Sequence, residues 1–132
     1  MIVLDANIII SFLEETDPNH RRAIALFKAM DGEYLFVPSL TWAEVLVGAI
    51  GSDKAAEAQN RIQGLLGVAV ANPDGVDWPV QLAQVRARTG LRMPDAFVLA
   101  AAEVLDAKVA TFDSKLAAVA ANQGRLYEPP MA

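Results

Sequence analysis

The chain has no cysteine. That excludes disulfides, thiolate metal sites and cysteine nucleophiles together, and it suits a reducing compartment such as the cytoplasm. It has a single histidine, His20, which leaves little for histidine-driven acid–base chemistry. No run reaches the roughly 18 apolar residues a membrane helix needs. The N-terminal MIVLDANIII has no positive region, and Asp5 breaks its apolar run, so it does not read as a signal peptide. The expectation is a soluble, unexported protein with no membrane partner. Basic residues are few: 11 against 16 acidic, a net charge of −5. Nucleic-acid binders are usually basic, so the total argues against one unless a bound cation and a local basic rim offset the acid. There is no glycine-rich phosphate loop, no internal repeat and no linker.

What is present is 132 residues, 54% of them hydrophobic, which suits one domain spanning 1–132. Much of the excess is alanine, pointing to tight helix packing and to apolar surface that a second copy could cover. Short β-branched runs alternate with helical stretches. Residues 2–4 read as a strand ending at Asp5, and a helix follows over 6–14. Asp17-Pro18 reads as a cap with proline at the first helical position. A strand at 34–37 leads into a helix that Pro38-Ser39 open. Gly51-Ser52 reads as a break and a cap, before a helix that carries Ala55, Ala58, Ile62 and Leu65 on one stripe. A strand at 68–70, a turn at Asn72-Pro73-Asp74-Gly75, helices over 77–89 and 94–105, a strand at 108–112 and a last helix from Asp113 complete the pattern, with residues 125–127 as a short edge strand. Strands separated by helices predict an α/β fold. It is doubly wound, with a mainly parallel central sheet of four or five strands and helices on both faces. Ligands in such folds bind beyond the carboxyl ends of the strands.

Four carboxylates stand in apolar settings. Asp5 is the one charged residue among the first thirteen, and Glu44 the one between Val37 and Ser52. Asp95 leads into Ala-Phe-Val-Leu-Ala-Ala-Ala, and Asp113 follows the apolar Lys-Val-Ala-Thr-Phe. Each has a structural explanation alone: Asp5 and Asp113 as helix caps, Asp95 as an acid at a helix N-terminus, Glu44 on a solvent-facing stripe with Thr41 and Gly48. Together they are all expected at one edge of the sheet. Clustered carboxylates raise one another's pKa, and a hard divalent cation such as Mg²⁺ or Mn²⁺ relieves that repulsion.

Leu4-Asp5-Ala6-Asn7, Trp42-Ala43-Glu44-Val45, Pro94-Asp95-Ala96 and Thr111-Phe112-Asp113, in that order, resemble the four acidic motifs of PIN-domain ribonucleases, and specifically the VapC-like toxins of type II toxin–antitoxin modules. The resemblance implies a PIN-like fold over the whole chain and a Mg²⁺- or Mn²⁺-dependent endoribonuclease. In it, water activated by the metal attacks an RNA phosphodiester. Asp5, Asp95 and Asp113 would hold the metal, with Glu44 acting through water. Asn7 and Thr111 match accessory polar positions, alongside the alternative of ordinary local hydrogen bonding. Ser39 and Ser114 are weaker candidates. The resemblance also implies a homodimer and an antitoxin on a separate chain. Leu116 stands where an aromatic often lies.

Arg86, Arg88 and Arg92 precede Asp95 and could contact RNA phosphates, or simply form a solvated helix face. Trp42 and Trp78 read as core or interface anchors. Two other readings compete. A phosphoryl-accepting receiver or phosphohydrolase would need paired acids after the first strand and a lysine at the last strand's far end, whereas Lys108 begins its strand. An inactive PIN-like binding module would be expected to lack one or more of the four acids.

Overall fold

Ile2, Val3 and Leu4 are all buried, so this first strand is covered on both faces and lies in the middle of a sheet. The computed structural model describes residues 1–73 and 77–130. Among these, β1 (Ile2–Leu4), β2 (Leu35–Pro38), β3 (Ala69–Ala71) and β4 (Lys108–Ala110) form one sheet in the order β3-β2-β1-β4. Every pairing is parallel. The helices are α1 (Ala6–Leu13), α2 (His20–Ala29), α3 (Ser39–Gly51), α4 (Ala55–Gln59), α5 (Trp78–Thr89), α6 (Met93–Leu105) and α7 (Ser114–Asn122). None of them is long and apolar enough to cross a membrane.

Side chains of successive strand residues point to opposite faces, and the core divides accordingly. Ile2, Leu4, Leu35, Val37 and Ala110 pack with residues of α1, α2 and α3. Val3, Val109 and Phe36 pack with α5, α6 and α7. The chain leaves β1 towards β2 and β3, then returns to place β4 on β1's other side. The winding direction therefore reverses between β1 and β4. In open parallel sheets the crevice beyond the carboxyl ends at such a reversal is where ligands bind.

Several local expectations shift. The strand read at 108–112 ends at Ala110, because Thr111 turns its hydroxyl towards Asp5 and the backbone of Asp113 rather than continuing the ladder. Residues 125–127 contribute one parallel bridge, Val109 with Leu126, and no fifth strand. Asp17 does not cap α2. Its Oδ1 accepts from the Asn19 backbone at 2.8 Å and from the Ser11 hydroxyl, and Asn19 occupies the cap position. Ser52 closes α3 rather than opening α4, its hydroxyl donating to the carbonyl of Gly48 at 3.1 Å. After Gln59 the helix widens into a π-helical segment, Asn60–Leu65, that keeps Ala58 and Ile62 buried. The turn read at 72–75 runs into residues 74–76, outside the described set.

Candidate active site

Asp5 is the first residue past β1. Its backbone is extended (φ −77°, ψ 156°), and its Oδ1 accepts from the Ala6 amide at 2.7 Å, which starts α1. The capping role is thus real, but it uses one oxygen. The other, Oδ2, accepts from the Thr111 hydroxyl at 2.7 Å and from the Asn7 side-chain amide at 3.2 Å. Asp5 is only 7% exposed. Burial raises its pKa above the ordinary 3.8, and the hydrogen bonds from Thr111 and Ala6 oppose the rise. The charges of Asp95 and Asp113 push it further up.

Asp113 repeats the design beyond β4. Its Oδ1 accepts from the Leu116 amide at 2.9 Å and caps α7. The two acid-bearing turns are tied together. Asn7 Oδ1 accepts from the Phe112 amide at 3.1 Å, and the Thr111 hydroxyl oxygen accepts from the Asp113 amide at 3.0 Å. Asn7 and Thr111 therefore do more than satisfy their own backbones: they fix Asp5 and the 111–113 turn relative to each other across the winding reversal.

Asp95 and Glu44 arrive from opposite faces of the sheet. Asp95 is the third residue of α6, behind Pro94, where the missing amide of proline costs nothing. Glu44 lies in the second turn of α3. It is exposed, not buried among its apolar neighbours, and Thr41, expected beside it on a solvent stripe, is instead fully buried. Glu44's pKa is raised above 4.5 by partial burial and by the charges of Asp5 and Asp95, with Arg92 opposing. Asp95 is raised above 3.8 by partial burial and by Asp113, with Arg92 and Lys115 opposing. Asp5, Glu44 and Asp95 thus each feel at least one other acid, and the charge of Asp113 acts on Asp5 and Asp95. None of them forms an ion pair among the described residues.

Also among the described residues, no three acidic or histidine side chains close on one point as a ready-made metal cage. The donor set nonetheless fits a divalent cation in kind: hard carboxylate oxygens, mutual repulsion, and no internal counter-ion in contact. Asp5 is held by three donors, whereas Glu44 and Asp95 are more accessible.

Other sequence candidates fall elsewhere. Arg88 pairs with Glu103 on the far side of α6. His20 Nδ1 bonds to the Ser11 carbonyl at 2.8 Å, a tie between α1 and α2. Trp78 packs on Phe97, their ring centroids 6.5 Å apart, and Trp42 is buried in the core. Ser39 and Ser114 are the first residues of α3 and α7. Two features had no sequence signal. Lys115 lies near Asp95, a proximity created only by the packing of α7 beside α6. A groove of about 180 Å³ runs from Glu44 between α1, α3 and α4, with Ile10, Leu13, Val45 and Ala58 in its walls.

The model of the PIN domain matches residues 2–122. The chain belongs to the PIN-domain family. No curated protein matches it significantly in sequence. Among solved structures, this PIN domain is similar to FitAcB from Neisseria gonorrhoeae, at 22% identity over 98% of each chain with a TM-score of 0.71. It is similar to a toxin–antitoxin complex from Klebsiella pneumoniae, at 22% identity over 100% of each chain, again with a TM-score of 0.71. It also resembles VapBC2 from Rickettsia felis bound to a promoter DNA fragment, at 17% identity over 87% of this chain and 90% of that one, with a TM-score of 0.62. The fold is therefore a PIN fold, with the four acids at the carboxyl edge of its sheet.

Proposed function

We propose that this PIN domain is a Mg²⁺- or Mn²⁺-dependent endoribonuclease, the toxin of a toxin–antitoxin module. The observation that carries the reading is the placement of Asp5, Glu44, Asp95 and Asp113 at the carboxyl edge of the sheet beside the winding reversal, with Asp5, Glu44 and Asp95 each under the charge of another acid. Family members are generally nucleases, which supports the same reaction class. Asp5, Asp95 and Asp113 would hold the cation. Glu44 would orient the attacking water or take its proton, a role its accessible, raised-pKa carboxyl suits. The cation supplies neutralisation of phosphate charge and a more acidic water. Asn7 and Thr111 keep Asp5 pointed into the cleft, as outer partners of ligating carboxylates do.

Three further parts of the reading have structural support. The groove that opens at Glu44 would give an antitoxin on a separate chain a partly apolar place to lie beside one of the four acids. On α3, Leu40, Val47 and Ile50 are 49%, 73% and 66% exposed, an apolar stripe that a homodimer would cover. The absence of cysteine suits the cytoplasm.

The test is cleavage of RNA by the purified chain in Mg²⁺, in Mn²⁺ and in EDTA, beside Asp5→Asn and Asp95→Asn variants. Cleavage is expected with either metal and lost in EDTA and in both variants. Cleavage persisting in EDTA would overturn the metal mechanism. Expression without an antitoxin should arrest growth, and harmless expression would remove the toxin role.

A further inference from the structure

We infer that Arg92 is a backbone-phosphate contact of this site, its guanidinium gripping the RNA strand that crosses the seam between Glu44 on α3 and Asp95 on α6. The inference rests on the nuclease reading and adds the residue that positions its substrate.

Arg92's backbone is pinned while its side chain is free. Gly90 ends α5 in the left-handed region (φ +71°), and its carbonyl accepts from Lys115 Nζ at 3.2 Å. Leu91 is fully buried, and its amide donates to the Thr89 hydroxyl oxygen at 3.2 Å. Arg92 itself caps α6, and its carbonyl accepts from the Ala96 amide at 2.9 Å. The guanidinium that projects from this anchored point is exposed. Among the described residues it has neither a hydrogen bond nor an ion pair.

Several other cations are committed elsewhere. Arg88 holds Glu103, and Arg125 holds Asp106 and the carbonyls of Ala102 and Ala107. Arg22 lies 4.5 Å from the ring centroid of Phe112, and Arg61 5.2 Å from that of Phe12. Of the three arginines before Asp95, Arg92 alone caps the helix that carries Asp95, and its charge opposes the raised pKa of both Glu44 and Asp95. A guanidinium beside two carboxylates but bonded to neither is placed for a third anion. Its planar fork matches two phosphate oxygens at once, and it stands three positions before Asp95.

The test measures binding rather than cleavage. In an Asp95→Asn background with Mg²⁺, affinity for a short, labelled, mixed-sequence single-stranded RNA is followed across a salt series. Each phosphate contact on a single strand contributes about 0.7 to the slope of log affinity against log salt. Arg92→Ala should make the slope shallower by about that amount. Arg92→Lys should restore the slope, because the charge remains. Arg88→Ala should leave it unchanged. A slope and affinity unaltered by Arg92→Ala would overturn the inference while leaving the nuclease intact. Equal losses in the Arg88 and Arg92 variants would overturn it too, since that is a diffuse field and not a contact. If the parent chain neither binds nor cuts RNA, the nuclease reading falls and takes this inference with it.

Discussion

Asp5 shows how one buried carboxyl can serve structure and chemistry at once. One oxygen starts α1, and the other receives two side-chain donors. Thr111 is the pivot, because its hydroxyl donates to Asp5 and accepts from the Asp113 amide. Thr111→Val keeps the shape and removes both bonds, together with the longer one from the Asn7 side-chain amide at 3.4 Å. The expected cost is about 1–3 kcal/mol of stability, read by urea denaturation, because partly buried polar groups lose their partner. Metal-dependent cleavage should fall about 10–100-fold, as for other outer-shell changes, and Thr111→Ser should restore most of it. Full activity in Thr111→Val would show that Asp5 needs no such support. Asp95 behaves oppositely. Its ionised form is disfavoured by burial and by Asp113, so Asp95→Asn should abolish cleavage yet raise the Tm measured in EDTA. A lowered Tm would mean that Asp95 is a structural acid. At this scale the sequence made Asp5 and Asp113 legible, since strand, acid and helix follow one another at both positions. It could not separate Arg92 from Arg86 and Arg88, because helical spacing does not say which arginine reaches a neighbouring element. It could not say whether Glu44 faces the core or solvent, because apolar neighbours along a helix do not reveal which side faces the cleft, and it put Thr41 on the solvent-facing stripe where the fold buries it.

At the scale of elements, the site depends on α6, which carries Asp95 on its first turn and is deeply enclosed. Ala96 and Val98 through Ala102 are all fully buried. Alanines here let α6 lie close to β1, β4, α5 and α7 at once. Ala100→Leu inserts volume into this close-packed layer and should cost about 1–3 kcal/mol. Because α6 must shift to admit it, cleavage should drop in the same variant even under conditions where the fold persists. Unchanged activity at reduced stability would show that α6 can yield without moving Asp95. The periodic elements were readable because hydrophobic spacing is a local property of the chain. The misread boundaries were decided by tertiary partners. Thr111 left its strand to reach Asp5, Asp17 gave its oxygen to Ser11 and Asn19, and residues 125–127 found only Val109 for pairing.

For the molecule as a whole, the net charge of −5 and the three raised carboxyl pKa values give one linked prediction. Asp5, Glu44 and Asp95 hold protons more tightly in the folded state than in the unfolded chain, where their ordinary values are 3.8, 4.5 and 3.8. The stability they contribute is complete below those ordinary values and is lost as pH rises through the raised ones. In EDTA, therefore, the Tm should climb as pH is lowered from neutral towards the ordinary carboxylate range. A divalent cation competes with those same protons, so its effect must have the opposite slope. Binding strengthens as pH rises, and at about 100 times its Kd a ligand adds about 2.7 kcal/mol. Saturating Mg²⁺ or Mn²⁺ should raise the Tm most at neutral pH and progressively less on acidification, flattening or reversing the EDTA profile. Asp5→Asn and Asp95→Asn should each remove part of both trends, because the same carboxylates carry them. A metal-induced shift in Tm that is independent of pH would place the ion away from these acids. A Tm in EDTA that falls steadily from neutral pH downwards would mean that their burial and mutual repulsion are too weak to matter to the fold.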